Sequence, residues 1–178
     1  MTRNDLARRI YQVSHLTGTF KLRSGQVSNE YFDKYLFESD PKLLKAIADG
    51  MAKLIPTDTE VLAGLEMGAI PVAAALSLKT GLPAVFVRKK AKEYGTSKFA
   101  EGAEVKGKKV CVIEDVVTTG GQIIMSANDL KSLGAKIDIV VCVIERDPKG
   151  RENLAKEGLE LRALFTMEEL TNAENAKH

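Results

Sequence analysis

Histidine and cysteine are scarce in this chain. His15 and His178 are the only histidines among its 178 residues, one in a segment with a helix-like pattern and one at the C-terminus. Chemistry that depends on a histidine base is therefore not expected. Cys111 and Cys142 each lie inside an apolar run, which is typical of buried, reduced thiols rather than of a disulfide framework or a metal site. Any catalytic groups must be other side chains.

The sequence also lacks a long apolar run and an excess of charge of one sign. No stretch approaches the ~18 apolar residues that cross a bilayer, and the N-terminal MTRNDLARRI has no apolar signal-peptide core. Lysine and arginine number 26 against 24 acidic residues, a formal net charge of +2. We therefore expect a cytoplasmic protein, and the overall charge balance indicates neither a nucleic-acid partner nor a membrane.

The apolar residues are arranged in a pattern typical of an α/β fold. They make up 44% of the chain, enough to bury the core of one compact domain. From Val61 onward, short apolar runs such as PAVFVRK and KKVCVIED alternate with amphipathic stretches such as QIIMSANDLKSLG. This alternation predicts an open, mainly parallel sheet of about five strands with helices on both faces. Gly81 and Gly134 are expected to close two of the helices.

The first 60 residues follow a different pattern. A helix is predicted over residues 4–16, then a hairpin-like FKLRSGQVSNEYFDKY, then a helix that begins at Asp40-Pro41 with Asp as cap and Pro in the first turn. We expect residues 1–60 to form a small N-terminal hood over a core sheet of residues 61–166.

Residues 90–107 are polar and show no periodicity, which predicts a loop. Such a loop suits a segment that orders over a charged substrate and excludes water. Composition alone favours an ordinary solvated connection, because long polar loops are commonly no more than that.

One stretch, VCVIEDVVTTGGQ, combines an apolar strand with two acids and a Thr/Gly loop. Ligands of open parallel sheets bind beyond the carboxyl ends of the strands, and this stretch crosses that edge. Its glycines let the backbone approach an anion, while threonine hydroxyls and the amides of the next helix offer donors to a phosphate. Because a phosphate alone would be repelled by Glu114 and Asp115, a ligand with hydroxyls or a metal beside its phosphate is indicated. A ribose 5-phosphate fits.

Two familiar nucleotide-binding loops are absent from the sequence. No GxxxxGK[ST] occurs, and the first strand-to-helix turn of the sheet, GLEMGAIP, is not GxGxxG. Two acids at a strand end usually cap the sheet and contact only water. An acid pair followed by VVTTGG at a strand-to-helix turn is much more specific.

Four segments together carry a resemblance to a known family. VCVIEDVVTTGGQ resembles the phosphoribosyl-diphosphate signature of type I phosphoribosyltransferases. Three further segments resemble the orotate phosphoribosyltransferases. Their Phe-x-Leu-x-Ser-Gly stretch with its aromatic pair is similar to FKLRSGQVSNEYFDK. Their mobile catalytic loop is similar to RKKAKEYGTSKFAEG, and their base-side segment is similar to VIERDPKGRE. The resemblance covers nearly the whole chain, and the combination narrows it to the orotate phosphoribosyltransferase family.

The resemblance implies a fold and a reaction. Residues 1–178 would form a single phosphoribosyltransferase domain, a parallel α/β sheet with an N-terminal hood. The reaction would convert orotate and phosphoribosyl diphosphate into orotidine 5′-monophosphate and pyrophosphate, in de novo pyrimidine biosynthesis. Mg²⁺ would be the cofactor, bound mainly through the substrate, with no protein ligand assigned.

The resemblance also implies how the substrates are bound. Glu114 and Asp115 would hold the ribose hydroxyls of phosphoribosyl diphosphate, and Asp115 would also be catalytic. Tyr31 and Phe32 would flank the pyrimidine ring, and Arg146 would bind the orotate carboxylate, as a planar guanidinium can do bidentately. The segment expected to wrap the 5-phosphate consists of Val116, Val117, Thr118, Thr119, Gly120, Gly121 and Gln122, of which Thr118 would also lie next to the orotate.

The basic segment RKKAKEYG suits the departing pyrophosphate. Displacement at the anomeric carbon builds positive charge on the ribose and negative charge on the leaving group, so cations there stabilise the transition state more than the ground state. Arg88, Lys89 and Lys92 can supply these cations, and the resemblance implies that the two lysines are catalytic. In the family this loop reaches into the neighbouring subunit's site, which implies a homodimer with shared active sites.

The sequence departs from the family pattern at three places that contact phosphoribosyl diphosphate. Tyr94 stands where the family often has a loop histidine, and Arg23 stands where several relatives have a lysine. The turn GLEMGAIP lacks the Tyr-Lys pair of many bacterial relatives, so it would offer backbone groups to the pyrophosphate, and Glu66 would help to position metal-bound water.

Two alternatives remain open at this level. A phosphoribosyltransferase for a purine or for uracil would share the ribose-phosphate loop, but a neutral base would give Arg146 no carboxylate to bind. A non-catalytic regulator could sense phosphoribosyl diphosphate, and it would be expected to show a DNA-binding helix pair or a basic RNA-binding face. Lys89, Lys92 and the long loop favour catalysis.

Overall fold

The computed structural model describes residues 1–22, 24–90 and 99–176. The helices are α1 (Arg3–Ser14), α2 (Lys34–Ser39), α3 (Pro41–Met51), α4 (Ala69–Thr80), α5 (Gly121–Ser132), α6 (Pro148–Lys156) and α7 (Met167–Asn175). The strands are β1 (His15–Lys21), β2 (Val27–Phe32), β3 (Val61–Leu65), β4 (Ala84–Val87), β5 (Ala100–Gly102), β6 (Lys109–Val117), β7 (Lys136–Glu145) and β8 (Glu160–Thr166).

The central sheet has the strand order β5-β4-β3-β6-β7-β8. Strands β4, β3, β6, β7 and β8 run parallel to one another, and only the short edge strand β5 runs antiparallel. Every residue of β3 is buried, as expected of a parallel strand with helices on both faces. The predicted α/β architecture with a mainly parallel sheet is therefore confirmed.

Two apolar layers cover the sheet. On one face, side chains such as Leu62 and Ile113 pack with residues of α1, α3, α4 and α7. On the other face, Val112 and Val140 pack with residues of α5 and α6. Cys111 and Cys142 are free, buried thiols, as expected, and burial raises the pKa of Cys111 to about 12.

The N-terminal segment contains the predicted hairpin, formed by β1 and β2 as antiparallel partners. The first helix ends at Ser14, earlier than expected, because His15 and the residues after it pair with β2. The helix predicted at Asp40-Pro41 is present, and the Asp40 carboxylate accepts the N–H groups of Lys42 at 2.8 Å and Leu43 at 3.1 Å. The short helix α2, which the sequence did not predict, joins the hairpin to α3.

Part of the loop predicted over residues 90–107 is strand. Ala100–Gly102 form β5 and pair antiparallel with β4, and Val105 is buried against the core. Residues 91–98 lie outside the described residues. Gly81 and Gly134 adopt positive φ angles of 76° and 92° just beyond the ends of α4 and α5, as predicted. Within the described ranges, no helix combines the length and the apolar character needed to span a bilayer.

Candidate active site

The acid pair lies near the carboxyl end of β6. The strand continues for two residues past it, to Val117, so the acids belong to the strand rather than terminating it. Asp115 is only 1% exposed, whereas Glu114 is partly exposed. The Glu114 Oε1 accepts the Asp115 N–H at 2.9 Å, and the Asp115 Oδ1 accepts the Val116 N–H at 2.5 Å. The strand backbone therefore fixes both carboxyl groups at one point of the sheet edge.

Helix α2 places two further charged side chains beside Asp115. The Lys34 Nζ lies 2.5 Å from the Asp115 Oδ2, and the Lys34 side chain is 33% exposed. One helical turn later, Glu38 is 5% exposed and its carboxyl group lies beside Asp115. Three carboxyl groups and one ammonium thus share a small, largely buried volume.

The carboxyl groups of this cluster differ in the direction of their pKa shifts. Burial, followed by the neighbouring Asp115 charge, raises the pKa of Glu38 to about 9 and raises the pKa of Glu114 well above its usual range. Burial would raise the pKa of Asp115 too, but the Glu114 carboxyl and the Lys34 ammonium together hold it below its ordinary value. Desolvation opposes the charge of Lys34, yet Asp115 keeps its pKa raised. At neutral pH the charge of the cluster is an Asp115 carboxylate paired with a Lys34 ammonium.

Gly68, in the turn between β3 and α4, makes room for this cluster. A Cβ atom built on Gly68 would lie 1.7 Å from the Asp115 Oδ2 and 2.9 Å from the Glu38 Oε1. Its φ of −65° is open to any residue, so the glycine is required for space and not for backbone conformation.

The Thr/Gly loop follows β6 and opens α5. Thr118 and Thr119 are exposed, and Gly120 takes the left-handed conformation with φ 78° as the N-cap of α5, without a side-chain cap. The first N–H groups of a helix have no intrahelical acceptor, so those of α5 are free to bind an anion. Helix α6 supports the loop from behind, because the Asn153 Nδ2 donates to the Thr119 carbonyl at 3.0 Å.

The expected base-side residues come together at a cavity of about 260 Å³. Arg146, Tyr31 and Phe32 line it together with His15 and Glu30. The Arg146 N–H donates to the Val117 carbonyl at 2.8 Å, which ties the start of the base-side segment to the end of β6. Of the expected orotate-binding residues within the described ranges, Thr118 is not part of this lining.

A second cavity, of about 640 Å³, lies at the carboxyl ends of β3 and β4. Arg88 and Lys89, which follow β4, line it together with Tyr35, Glu66 and Met67. The structure thus brings two of the expected diphosphate-binding cations next to the turn GLEMGAIP.

Three expected contacts of phosphoribosyl diphosphate, Arg23, Lys92 and Tyr94, fall outside the described residues. Across residues 1–22, 24–90 and 99–176, no group of three or more His, Cys, Asp or Glu side chains is arranged so that it could hold a metal ion.

Comparison with known proteins identifies the family. Residues 37–168 match the family described as the phosphoribosyl transferase domain. An orotate phosphoribosyltransferase of Nocardioides sp. is 53% identical over 171 residues, which cover 96% of each chain. The chain belongs to the orotate phosphoribosyltransferase family. The resemblance inferred from the four sequence segments is therefore confirmed.

Solved structures of the orotate phosphoribosyltransferase family share this fold. A crystal structure of the Mycobacterium tuberculosis H37Rv enzyme has a TM-score of 0.85 and 31% identity, covering 94% of this chain and 98% of that one. Another structure of that enzyme, in complex with 5-phospho-α-D-ribosyl 1-diphosphate, has a TM-score of 0.82 and 28% identity, covering 95% and 98%.

Two residues of the candidate site were not predicted from the sequence. Lys34 and Glu38 lie in DKYLFE, directly after the aromatic pair. Their spacing of one helical turn was the available signal, since it puts two opposite charges on one face of a helix. That spacing is common on solvated helices and does not reveal contact with Asp115.

Proposed function

We propose that this protein transfers the 5-phosphoribosyl group from phosphoribosyl diphosphate to orotate, giving orotidine 5′-monophosphate and pyrophosphate in de novo pyrimidine biosynthesis. The observation that carries the proposal is the junction of β6 and α5. There, an acid pair meets a loop of exposed threonines and free helix amides, and two neighbouring cavities are lined by Arg146 and by Arg88 with Lys89.

The ribose 5-phosphate would lie along the edge of the sheet. Its ring hydroxyls donate to Glu114 and Asp115, and the ionised Asp115 accepts a hydrogen bond roughly twice as strong as a neutral acceptor would. Its phosphate accepts N–H groups at the start of α5 and the hydroxyls of Thr118 and Thr119. The dipole of α5 favours the phosphate charge at this position.

The orotate would occupy the cavity lined by Tyr31, Phe32 and Arg146. The aromatic side chains offer apolar contacts to the pyrimidine ring, and the exposed Arg146 guanidinium can bind the carboxylate through two parallel hydrogen bonds. Uracil and the purines lack that carboxylate, so Arg146 favours orotate over them.

The pyrophosphate would leave towards the cavity of Arg88 and Lys89. Negative charge develops on the leaving group as the bond to the anomeric carbon breaks, so these cations stabilise the transition state more than the bound substrate. We propose the same role for Lys92, which lies outside the described residues.

Mg²⁺ would be bound mainly by the diphosphate and hydroxyl oxygens of the substrate, where it neutralises charge on the leaving group. The chain's own residues fit this arrangement, because Glu66 lines the same cavity as Arg88 and Lys89, and oxygen donors are those that Mg²⁺ prefers. Glu66 would orient a water of the ion's hydration shell.

The active unit would be a cytoplasmic homodimer with shared sites. Residues 91–98, which would supply the shared contacts, lie outside the described residues. The two buried, free cysteines suit a reducing compartment.

A spectrophotometric assay with Mg²⁺ and phosphoribosyl diphosphate tests the function. Orotate is run beside uracil, adenine, guanine, hypoxanthine and xanthine. We expect consumption of orotate alone, dependent on both Mg²⁺ and phosphoribosyl diphosphate. Turnover of another base would overturn the assignment of Arg146. Phosphoribosyl diphosphate binding without turnover of any base would show a sensor rather than an enzyme.

A further inference from the structure

Helix α2 connects the N-terminal hairpin to the acid pair through Lys34 and Glu38, which occupy one face of the helix. We propose that these two side chains are positioning residues that fix the Asp115 carboxylate, ionised and in one orientation, for the ribose hydroxyl. The proposal rests on the proposed function, because it assigns Asp115 to phosphoribosyl diphosphate.

The burial of Asp115 makes a partner necessary. A carboxylate that is 1% exposed is unfavourable unless it is paired and hydrogen-bonded. The Val116 N–H at 2.5 Å occupies Oδ1, and the Lys34 ammonium at 2.5 Å from Oδ2 supplies the opposite charge. Among the described residues, Lys34 is the one cation in ion-pair contact with Asp115. Without it the carboxylate would protonate or turn away.

Gly68 and Glu38 also lie beside the Asp115 carboxylate. They approach so closely that a Cβ on Gly68 would lie 1.7 Å from the Asp115 Oδ2 and 2.9 Å from the Glu38 Oε1. A buried carboxyl group beside a second carboxylate is costly when both are ionised, so Glu38 keeps its proton next to Asp115. The neutral, protonated Glu38 adds no second negative charge, and it closes the space into which Asp115 could rotate.

A fixed position of the carboxylate favours binding of the sugar. A hydroxyl donates best to an ionised acceptor whose orientation is already set, since no entropy is then lost in arranging it. The Glu114 carboxyl and the Lys34 ammonium keep the pKa of Asp115 low, and Glu38 with Gly68 restricts its orientation. The partly exposed Lys34 could instead contact the diphosphate directly. The two roles differ in one respect: only the positioning role requires Asp115.

A double-mutant cycle on phosphoribosyl diphosphate affinity separates these roles. Isothermal titration calorimetry in the presence of Mg²⁺ measures wild type, Lys34→Met, Asp115→Asn and the double variant. We expect Lys34→Met to weaken binding about tenfold in the wild-type background and less than about threefold in the Asp115→Asn background. Lys34→Arg keeps the charge and should restore most of the affinity. Lys42→Met, on an exposed lysine of the neighbouring α3, is the matched control.

A loss of similar size in both backgrounds would overturn the positioning role and assign Lys34 to the diphosphate. Wild-type affinity in Lys34→Met would overturn the proposal altogether. If circular dichroism shows that Lys34→Met does not fold, Lys34→Gln replaces it in the same double-mutant cycle.

Glu38 is tested by its own pair of variants. Glu38→Gln retains the shape and neutrality of the protonated acid and should bind phosphoribosyl diphosphate within about threefold of wild type, whereas Glu38→Ala frees space and should weaken binding more. Equal affinities of Glu38→Ala and wild type would remove Glu38 from the proposal. Turnover of orotate by the wild-type protein is measured alongside, so that failure of the positioning role is distinguished from failure of the proposed function.

Discussion

The two halves of the proposed ribose-phosphate site are built by opposite means. The Thr/Gly loop carries exposed threonines, and a Cβ added at Gly121 would meet no atom within 4 Å. The Asp115 cluster is buried, and a Cβ at Gly68 would lie 1.7 Å from a carboxylate oxygen. The loop consists of consecutive residues, whereas the cluster brings side chains of β6 and α2 against the backbone of the turn before α4.

The difference follows from the chemistry of the two ligand groups. A phosphate carries a full charge, and backbone N–H groups with a helix dipole bind it without charged side chains. Sugar hydroxyls are neutral, and a charged acceptor in a set orientation binds them more strongly than a neutral one, which favours a carboxylate held inside the fold. The residues of the loop must therefore leave room for the phosphate. The residues of the cluster must both pack inside the fold and bind the sugar.

The largest effect is expected from Asp115→Asn, which removes the negative charge from the buried cluster. The amide retains the shape but cannot act as a charged acceptor, so we expect kcat/KM to fall about 100-fold or more. Circular dichroism and steady-state kinetics check this result. Near-wild-type turnover would remove Asp115 from the mechanism.

A comparison of two glycine substitutions sharpens the contrast. Gly68→Ala forces Asp115 and Glu38 apart, so both the melting temperature and the affinity for phosphoribosyl diphosphate should fall, the affinity about tenfold or more. Gly121→Ala has free space in helix α5, so the melting temperature should hold or rise while affinity falls, because the methyl group hinders the phosphate. A similar fall in the melting temperature of Gly68→Ala and Gly121→Ala would contradict the distinction between a buried cluster and an open loop.

Mixing two inactive variants tests whether Asp115 of one subunit works with Lys92 of the other, as the proposed homodimer with shared sites requires. Lys92→Ala and Asp115→Asn are each expected to have little activity, but subunit exchange creates dimers with one intact site. Random exchange of equal amounts should recover about a quarter of wild-type activity. Absence of recovery after exchange has been confirmed by mass spectrometry would argue against a shared site.

The smallest effect is expected on the pH dependence of stability. Between the ordinary Glu pKa of 4.5 and the value of about 9 for Glu38, the folded protein keeps a proton that the unfolded chain releases. Stability should therefore fall as pH rises through this window, by about 1.4 kcal/mol per pH unit at most for one proton. The groups around Glu38 include Asp115, Lys34 and Asp33, and the raised pKa of Glu114 acts in the same direction.

Glu38→Gln removes one of these protons, so its stability should fall less steeply between pH 6 and pH 8.5, as measured by urea unfolding. Glu157→Gln, on an exposed glutamate, is the matched control. The same slope for Glu38→Gln and wild type would contradict a buried, protonated Glu38.

The sequence predicts the loop half of the site far better than the buried half. The Thr/Gly loop, the strand before it and the helix after it are consecutive, so local patterns reveal them. The Asp40 cap and the two helix-closing glycines were predicted for the same reason. Contact of Lys34 and Glu38 with Asp115 depends on how the N-terminal segment packs on the sheet, which no local pattern encodes.

The strand β5 was missed for a related reason. Ala100–Gly102 form a short segment with an acid and a glycine, both uncommon in strands, and pairing with the edge of β4 overrides that local preference. His15 was assigned to a helix because its neighbours are helical, yet pairing with Phe32 places it in the hairpin.

The central claim is that Glu114 and Asp115 bind the ribose hydroxyls. Titration calorimetry with ribose 5-phosphate and 2-deoxyribose 5-phosphate tests it most directly, on wild type and on the variant that combines Glu114→Gln with Asp115→Asn. We predict that wild type binds ribose 5-phosphate about tenfold more tightly than the deoxy sugar, and that the variant loses this preference. Equal affinities in wild type, or a preference that survives in the variant, would contradict the account.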